Sequence, residues 1–185
     1  MASTISETFV HELKIPKDRI AVLIGVIGGI KKEIEERTGT KIEVDSESGD
    51  IFIRGKDGLQ IYDAKEVVQA IGRGFNPTIA MRLLKGNMVF ESVNIKDYAN
   101  SKPMMLRLKG RVIGESGKAR RYIEEATSTH ICVYGKTIGI IGDYEDAANA
   151  KQAVTSLLSG SPHSTVYNWL DKKRKFKKEK EMLLM

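Results

Sequence analysis

The chain contains the same segment twice, 89 residues apart, with a Gly-x-x-Gly loop at the centre of each copy. Residues 23–44 and 112–133 align without a gap and are identical at ten of 22 positions, which chance does not produce. The identical pairs are Ile24/Ile113, Gly25/Gly114, Gly28/Gly117, Ile34/Ile123, Glu35/Glu124, Glu36/Glu125, Thr38/Thr127, Thr40/Thr129, Ile42/Ile131 and Val44/Val133. A repeat of this length is domain-sized, so the sequence predicts two related small domains in tandem.

Hydrophobic periodicity assigns an order of elements to the first copy. Alternating polar and apolar residues indicate strands, and apolar residues at helical spacing indicate helices. Gly39 suits the left-handed C-terminal cap of the second helix. The predicted elements are a strand at 8–16, helices at 17–24 and 29–37, strands at 41–45 and 51–54 and a helix at 59–71, with the loop GVIG at 25–28.

The second copy repeats this order with one insertion. Nine more residues separate Ile95 from Gly114 than separate Ile15 from Gly25. The predicted elements are a strand at 88–95, a helix that ends at Ile113, a helix at 118–126, strands at 130–133 and 137–141 and a helix at 144–158.

Two Pro-containing pairs predict helices outside the repeats. Asn76-Pro77 suits the N-cap and first turn of a helix in the connector, and Ser161-Pro162 opens a final helix that leads into a basic run. The predicted organisation is a first domain at 8–73, a helical connector at 74–86, a second domain at 87–159 and a basic C-terminal helix at 160–185.

A helix, a GxxG loop and a second helix inside this order of elements resemble a KH domain of the eukaryotic type, or type I. The resemblance rests on the sequences IGVIG and IGESG, which begin at Ile24 and Ile113, and on the turns after Thr38 and Thr127. It implies an α+β fold of two tandem βααββα KH domains. Glycine lets a sugar-phosphate chain approach the backbone closely, the following helix N-terminus favours anions, and KH domains hold about four nucleotides in this way.

The second copy carries more positive charge around its loop. Residues 102–121 contain seven basic residues and one acid, whereas residues 14–33 contain five basic residues and two acids. Because phosphate neutralisation dominates affinity for nucleic acids, the second copy is predicted to bind RNA more tightly. The predicted RNA-binding residues are Gly114, Glu115, Ser116, Gly117, Lys118, Arg120, Arg121 and Arg111, with Ile113 and Ile131 lining an apolar groove for bases.

One residue of the second loop departs from the family pattern, and four further residues complete the predicted groove. Glu115 is an acid at a position where the KH family usually has a basic or neutral residue. The remaining predicted groove walls are Val112 in the second copy and Ile20, Ile24 and Ile42 in the first.

The loop of the first copy is apolar at both variable positions, Val26 and Ile27. Exposed apolar side chains there could contact bases or could mark a protein-binding surface, and the residues leave both possibilities open. The predicted secondary contact with RNA or protein comprises Gly25, Val26, Ile27, Gly28, Lys31 and Lys32.

The remaining polar residues show no catalytic constellation, so the protein is not expected to be an enzyme. Gly117-Lys118 does not belong to a P-loop, because Val112 stands at the first glycine position and Ala119 at the hydroxyl position. The single cysteine, Cys132, has no Cys or His neighbour at metal-ligand spacing, and no metal or cofactor is expected. The adjacent acids Glu35-Glu36 and Glu124-Glu125 are expected to form solvated helix faces.

Composition and hydropathy indicate the compartment. No segment is long and apolar enough to span a bilayer, and the N-terminus lacks a basic region followed by an apolar stretch. We therefore expect a cytoplasmic monomer without a membrane partner.

The two KH copies, the ordered connector and the phrases KKEIEERTG and KGRVIGESGKARRYIEEAT resemble the archaeal relatives of the small-ribosomal-subunit biogenesis factor called Partner of Nob. The resemblance implies binding of single-stranded RNA near the 3′ end of small-subunit rRNA, beside ribosome assembly or translation factors. It also implies a first KH copy with a degenerate loop that contacts protein. The alternative is a KH-fold protein-interaction scaffold with nonspecific rRNA affinity, which steep salt dependence without sequence preference would favour.

Overall fold

A computed structural model describes residues 8–183, which form two compact units divided between Gly86 and Asn87. Each unit contains a three-stranded antiparallel sheet with helices packed against it. The α+β class and the tandem βααββα order predicted from the sequence are confirmed. Within the described residues, no helix is long and apolar enough to cross a bilayer.

The sheet of the first unit has its last strand in the centre. The elements are β1 (Phe9–Lys14), α1 (Lys17–Ile24), α2 (Gly29–Thr38), β2 (Lys41–Val44), β3 (Asp50–Gly55) and α3 (Gly58–Gly72). Strand β3 pairs antiparallel with both β1 and β2. Ile51 and Ile53 of β3 are fully buried, because alternate residues of a strand point to the same face. Gly39 has φ 67° and caps α2 in the predicted left-handed conformation.

The connector is helical, as the Asn76-Pro77 pair predicted. Helix α4 (Pro77–Ala80) is followed by a 3-10 turn over Met81–Leu84. The side chain of Asn76 caps α4 by accepting a hydrogen bond from the amide of Thr78 at 2.9 Å. Ala80, Met81 and Leu83 are buried, so the connector contributes to the core of the first unit.

The second unit repeats the topology of the first and adds two features. Its elements are β4 (Met88–Asn94), α5 (Lys102–Ile113), α6 (Lys118–Thr127), β5 (His130–Tyr134), β6 (Thr137–Asp143), α7 (Tyr144–Leu158) and α8 (His163–Leu183). Strand β6 lies between β4 and β5 and pairs antiparallel with both. The first added feature is the insertion before α5, which contains a 3-10 turn over Ile95–Asp97. The second is α8.

Helix α8 packs on the second unit instead of projecting away from it. Val166 and Leu170 are buried in the core formed by α5, α6, α7 and the sheet. Nζ of Lys177 lies 2.8 Å and 2.7 Å from the two carboxylate oxygens of Asp146 at the start of α7. Residues 184 and 185 of the predicted C-terminal helix lie outside the described residues.

One prediction about the repeated acids is wrong. Glu124 does not form a solvated face, because its Oε1 accepts a hydrogen bond from the backbone amide of Ile131 at 2.7 Å. Glu35 makes the same bond to the amide of Ile42 at 2.7 Å. Each bond ties the second helix of a KH unit to the strand that follows it. This contact explains why the position is Glu in both copies.

The repeated threonines make a second connection that both units share. Oγ1 of Thr127 donates to the carbonyl of Ile123 at 2.7 Å and lies 2.9 Å from Oγ1 of Thr129. The hydroxyls of Thr38 and Thr40 lie 2.8 Å apart in the first unit, and both pairs are buried. The hydroxyls satisfy each other inside the turn, so three of the ten shared identities have a structural origin: Glu35/Glu124, Thr38/Thr127 and Thr40/Thr129.

Candidate nucleic-acid interface

The two GxxG loops have the same backbone conformation. Gly114 ends α5 with φ 72° and ψ 175°, and Gly117 precedes α6 in the left-handed region with φ 79°. Gly25 and Gly28 have φ 73° and 76°. The third residue of each loop also has positive φ, at 52° for both Ser116 and Ile27. The loop therefore turns the chain sharply between two helices and presents its backbone to solvent.

The two glycines of the second loop are required for different reasons. A Cβ on Gly114 would lie 2.6 Å from Cβ of Ala119 and 2.7 Å from its backbone nitrogen, so the first glycine lets the loop close against α6. A Cβ on Gly117 would meet only the guanidinium of Arg121, at 3.9 Å. The second glycine thus leaves open space at the start of a ten-residue helix, where backbone amides and the helix dipole favour a phosphate.

The charged side chains of the second loop fall into two groups. Lys118 is exposed at the first position of α6, and its only ion pair among the described residues is a loose one of 3.9 Å to Glu115. Arg121 instead donates from Nη2 to the carbonyl of Ser116 at 2.8 Å and so holds the loop in shape. Arg120 places Nε 3.5 Å from Oε2 of Glu124. Lys118 is therefore the side chain most available to a ligand, while Arg120 and Arg121 also organise the site.

The structure corrects the prediction that Arg111 is an RNA-binding residue. Its Nε donates to the carbonyl of Leu157 at 3.1 Å, and its Nη2 donates to the carbonyl of Ser161 at 2.6 Å. Leu157 lies in the last turn of α7, where helix carbonyls lack partners within the helix, and Ser161 lies just beyond the helix. Arg19 makes the equivalent pair of bonds to Ile71 and Phe75 in the first unit. The guanidinium of Arg111 is a structural cap.

The structure also corrects most of the predicted groove lining. The Ile131 side chain is 3% exposed and belongs to the core of the second unit, so it cannot line an open groove. Val112, Ile20 and Ile42 are buried as well. These residues lie on the inner faces of their elements, a distinction that apolar character alone does not reveal. Ile113 is 36% exposed and Ile24 is partly exposed, so these two remain candidates for contact with bases.

Sequence reasoning missed an exposed apolar residue on α5. Leu106 is 72% exposed and lies seven residues before Ile113, which places both on one face of the helix. Gly110 lies between them, and a Cβ there would meet nothing within 4 Å. The i, i+4, i+7 spacing of Leu106, Gly110 and Ile113 was a readable signal of this face. The exposed side of α5 is therefore smooth and partly apolar next to the GESG loop.

The loop of the first unit has a different surface. Val26 is 87% exposed, and Ile27 is fully exposed while its backbone has positive φ. Lys31 and Lys32 pair with Glu35 and Glu36 at 3.3 Å and 3.7 Å. A β-branched residue at positive φ is a backbone outlier that costs free energy. The first loop thus presents an apolar tip, with its nearby lysines already paired.

Within residues 8–183, no group of three or more His, Cys, Asp or Glu side chains could hold a metal ion.

Comparison with known proteins identifies the family. A model of the eukaryotic-type KH domain (KH-domain type I) matches residues 89–175, and a KH domain model matches residues 10–70.

Three similar proteins agree with these matches. The KH domain-containing protein MJ0443 of Methanocaldococcus jannaschii is 48% identical over 166 residues, which cover 88% of this chain and 73% of that protein. The pre-rRNA-processing protein pno1 of Schizosaccharomyces pombe is 29% identical over 163 residues, covering 85% and 68%. A crystal structure of an a/eIF2α–aDim2p–rRNA complex from Pyrococcus horikoshii contains a chain with a TM-score of 0.85 and 44% identity, covering 91% of this chain and 95% of that one. The chain therefore belongs to the KH-domain family, as a tandem KH protein related to Pno1 and Dim2.

Proposed function

We propose that this protein binds single-stranded pre-rRNA through the GESG loop of its second unit, near the 3′ end of small-subunit rRNA. The observation that carries the proposal is the open space at Gly117, which adjoins the start of α6 and the exposed Lys118. A phosphate can approach the backbone there, accept amide hydrogen bonds and be neutralised by the lysine. Ile113 lies on the preceding helix, where it can contact a base.

The relatives support this choice of ligand. One is named as a pre-rRNA-processing protein, and a similar solved chain belongs to a complex that includes rRNA. Positive charge also concentrates in the second unit, where residues 102–121 have a net charge of +6 against +3 for residues 14–33. Arg111 and Arg19 are both engaged with carbonyls, so removing one arginine from each stretch leaves this difference intact.

A binding experiment with one variant in each loop tests the proposal. Fluorescence anisotropy would compare the 3′-terminal sequence of an archaeal small-subunit rRNA with a scrambled strand of equal length. The variant Glu115→Asp/Ser116→Asp adds one negative charge to the second loop, and Asp tolerates the positive φ of Ser116. The matched variant Val26→Asp/Ile27→Asp adds two negative charges at the same positions of the first loop.

We expect the second-loop variant to lose at least tenfold in affinity for the rRNA sequence and the first-loop variant to lose less than twofold. A simple dependence on net charge predicts the reverse order, because the first-loop variant carries the larger change. Equal binding of both strands by all three proteins, at every salt concentration, would contradict specific RNA binding and favour the scaffold alternative.

A second function, for the first unit, is favoured by the exposed apolar tip formed by Val26 and Ile27. We propose that this tip contacts a protein. Both apolar side chains are exposed to water, so a partner that covers them lowers the free energy of the system, and the unfavourable backbone conformation of Ile27 marks the tip as a functional site. The Pyrococcus complex contains a/eIF2α, which makes the α subunit of the archaeal initiation factor the first partner to try.

Calorimetric titration with this subunit should show binding to the wild type and to the second-loop variant. Loss of binding by Val26→Asp/Ile27→Asp would support this role, and unchanged binding would exclude the tip as the contact.

A further inference from the structure

The insertion that distinguishes the second unit builds a surface that the first unit lacks. Helix α5 has 12 residues, whereas α1 has eight. After the first strand of each unit, a backbone amide donates to the turn between the other two strands: Ile95 to the carbonyl of Lys136 at 2.9 Å, and Ile15 to the carbonyl of Gly49 at 3.1 Å. Within the described residues, only the second unit has a 3-10 turn at this point, over Ile95–Asp97. The extra residues follow this shared bond, and they place the 3-10 turn and the beginning of α5 beside the β5–β6 turn.

Three lysines meet at this point, and we call them the lysine cluster: Lys96 in the 3-10 turn, Lys102 at the start of α5 and Lys136 in the β5–β6 turn. All three are exposed, and none forms an ion pair with the described residues. The ammonium group of Lys96, with a smaller contribution from Lys102, lowers the pKa of Lys136 by repulsion. The acid nearest in sequence, Asp97, accepts a hydrogen bond from Nδ2 of Asn94 at 3.3 Å. The cluster is thus a concentration of positive charge without an internal counterion.

The lysine cluster and the GESG loop lie at opposite ends of α5. The helical rise of 1.5 Å per residue separates Lys102 from Ile113 by about 16 Å. Lys102, Leu106, Lys109 and Ile113 follow one another at spacings of three and four residues, so they share one face of the helix. Leu106 is exposed on that face, and Gly110 adds no side chain beside it. A continuous path therefore runs along α5 between two positive ends, and it carries the apolar residues Leu106 and Ile113 on either side of Lys109.

We propose that the single strand held at the GESG loop runs along this face of α5 and places a second phosphate on the lysine cluster. The proposal rests on the RNA-binding function proposed above. Single-stranded RNA suits the path because it offers phosphates at regular intervals and flat bases between them. Leu106 and Ile113 can contact the bases, while three flexible ammonium groups can follow a phosphate whose position varies. An acidic peptide would use the lysines but would leave Leu106 and Ile113 without a matching group.

The test removes charge from the cluster without disturbing α5. Lys96→Gln/Lys136→Gln removes two positive charges from turns and leaves Lys102 in place at the helix start. The matched control, Lys56→Gln/Lys85→Gln, removes the same charge from exposed lysines of the first unit that form no ion pair with the described residues. Both variants would be titrated with an eight-nucleotide rRNA strand at several salt concentrations, after thermal melts have shown that both fold.

We expect the cluster variant to bind about tenfold more weakly near physiological ionic strength. The slope of log K against log salt should be smaller by about 0.7, which is the contribution of one single-strand phosphate contact. The control should match the wild type. If the cluster variant matches the control while Glu115→Asp/Ser116→Asp still loses binding, the second phosphate site is wrong and the GESG site stands. If the wild type binds no RNA, both proposals fail together.

Discussion

The carboxylate of Glu124 lies 2.7 Å from the backbone nitrogen of Ile131 and accepts its hydrogen bond. The bond joins α6, which begins at the GESG loop, to β5, one of the two edge strands of the second sheet. Arg120 approaches the other carboxylate oxygen at 3.5 Å, so one acid organises a basic side chain and a strand at once. The helix that begins at the GESG loop is fixed to the sheet in this way.

Replacing Glu124 should therefore reduce stability more than replacing its neighbour. Glu124→Ala leaves the amide of Ile131 without its acceptor, and we expect the free energy of unfolding to fall by about 1–2 kcal/mol. Glu125→Ala, at an exposed position, should change it by less than about 0.5 kcal/mol. Urea denaturation followed by circular dichroism measures both values. Equal effects of the two substitutions would show that the hydrogen bond contributes nothing to stability.

The two glycines of the GESG loop should respond differently to alanine. Gly114→Ala forces a Cβ against backbone and side-chain atoms of Ala119 and keeps a positive φ, so we expect a loss of about 3 kcal/mol. Gly117→Ala adds a methyl group to open space, so only the backbone strain of about 1 kcal/mol remains. Thermal unfolding of the two variants under identical conditions compares them. A loss for Gly117→Ala as large as that for Gly114→Ala would contradict the assigned geometry.

Arg111 offers a test of a structural cap against a phosphate ligand. Arg111→Lys keeps the positive charge but cannot donate to the carbonyls of Leu157 and Ser161 together, so stability should fall by about 1–2 kcal/mol. The slope of RNA affinity with salt should stay unchanged, because the charge near the loop is preserved. Arg107→Lys, at an exposed position on α5, serves as the control and should alter neither quantity. An altered salt slope with unaltered stability would restore Arg111 to the list of phosphate ligands.

Ile27 should limit the stability of the first unit. Its side chain is fully exposed, and its φ of 52° is unfavourable for a β-branched residue. Ile27→Asn removes this strain and no buried contact, so we expect a gain of about 0.5–1 kcal/mol. Val26 does not have a positive φ, so Val26→Asn should have no comparable effect. If Ile27→Asn is destabilising in thermal melts, the exposed side chain makes a contact that its exposure does not indicate.

The fold could be predicted because local signals agreed in two copies. Alternation and helical spacing, a glycine after Thr38, and Asn76-Pro77 each act over a few residues, so a linear sequence contains all the information they need. Finding the same order twice removed the ambiguity that a single short motif leaves. Most element ends then fall within about two residues of the predicted positions, where fraying makes any boundary imprecise.

The roles of individual side chains in the site were less predictable. Arg111 was grouped with Lys118 by charge, and Ile131 with Ile113 by hydrophobicity. Each member of a pair has the same chemistry in sequence, but the fold turns one toward partners within the protein and the other toward solvent. Leu157 and Ser161, which engage Arg111, lie 46 and 50 residues away in the chain, so no local pattern could indicate them.

The sequence by itself determined the tandem KH architecture, the two GxxG loops and the excess of positive charge in the second unit, because repetition, periodicity and composition depend on residue order alone. Tertiary structure decided which charges remain available to a ligand and which apolar residues stay exposed. It also decided what the nine inserted residues do, since only folding brings Lys96 and Lys102 beside Lys136. Charge and hydrophobicity act through distance and burial, and these quantities exist only once segments far apart in the chain have packed together.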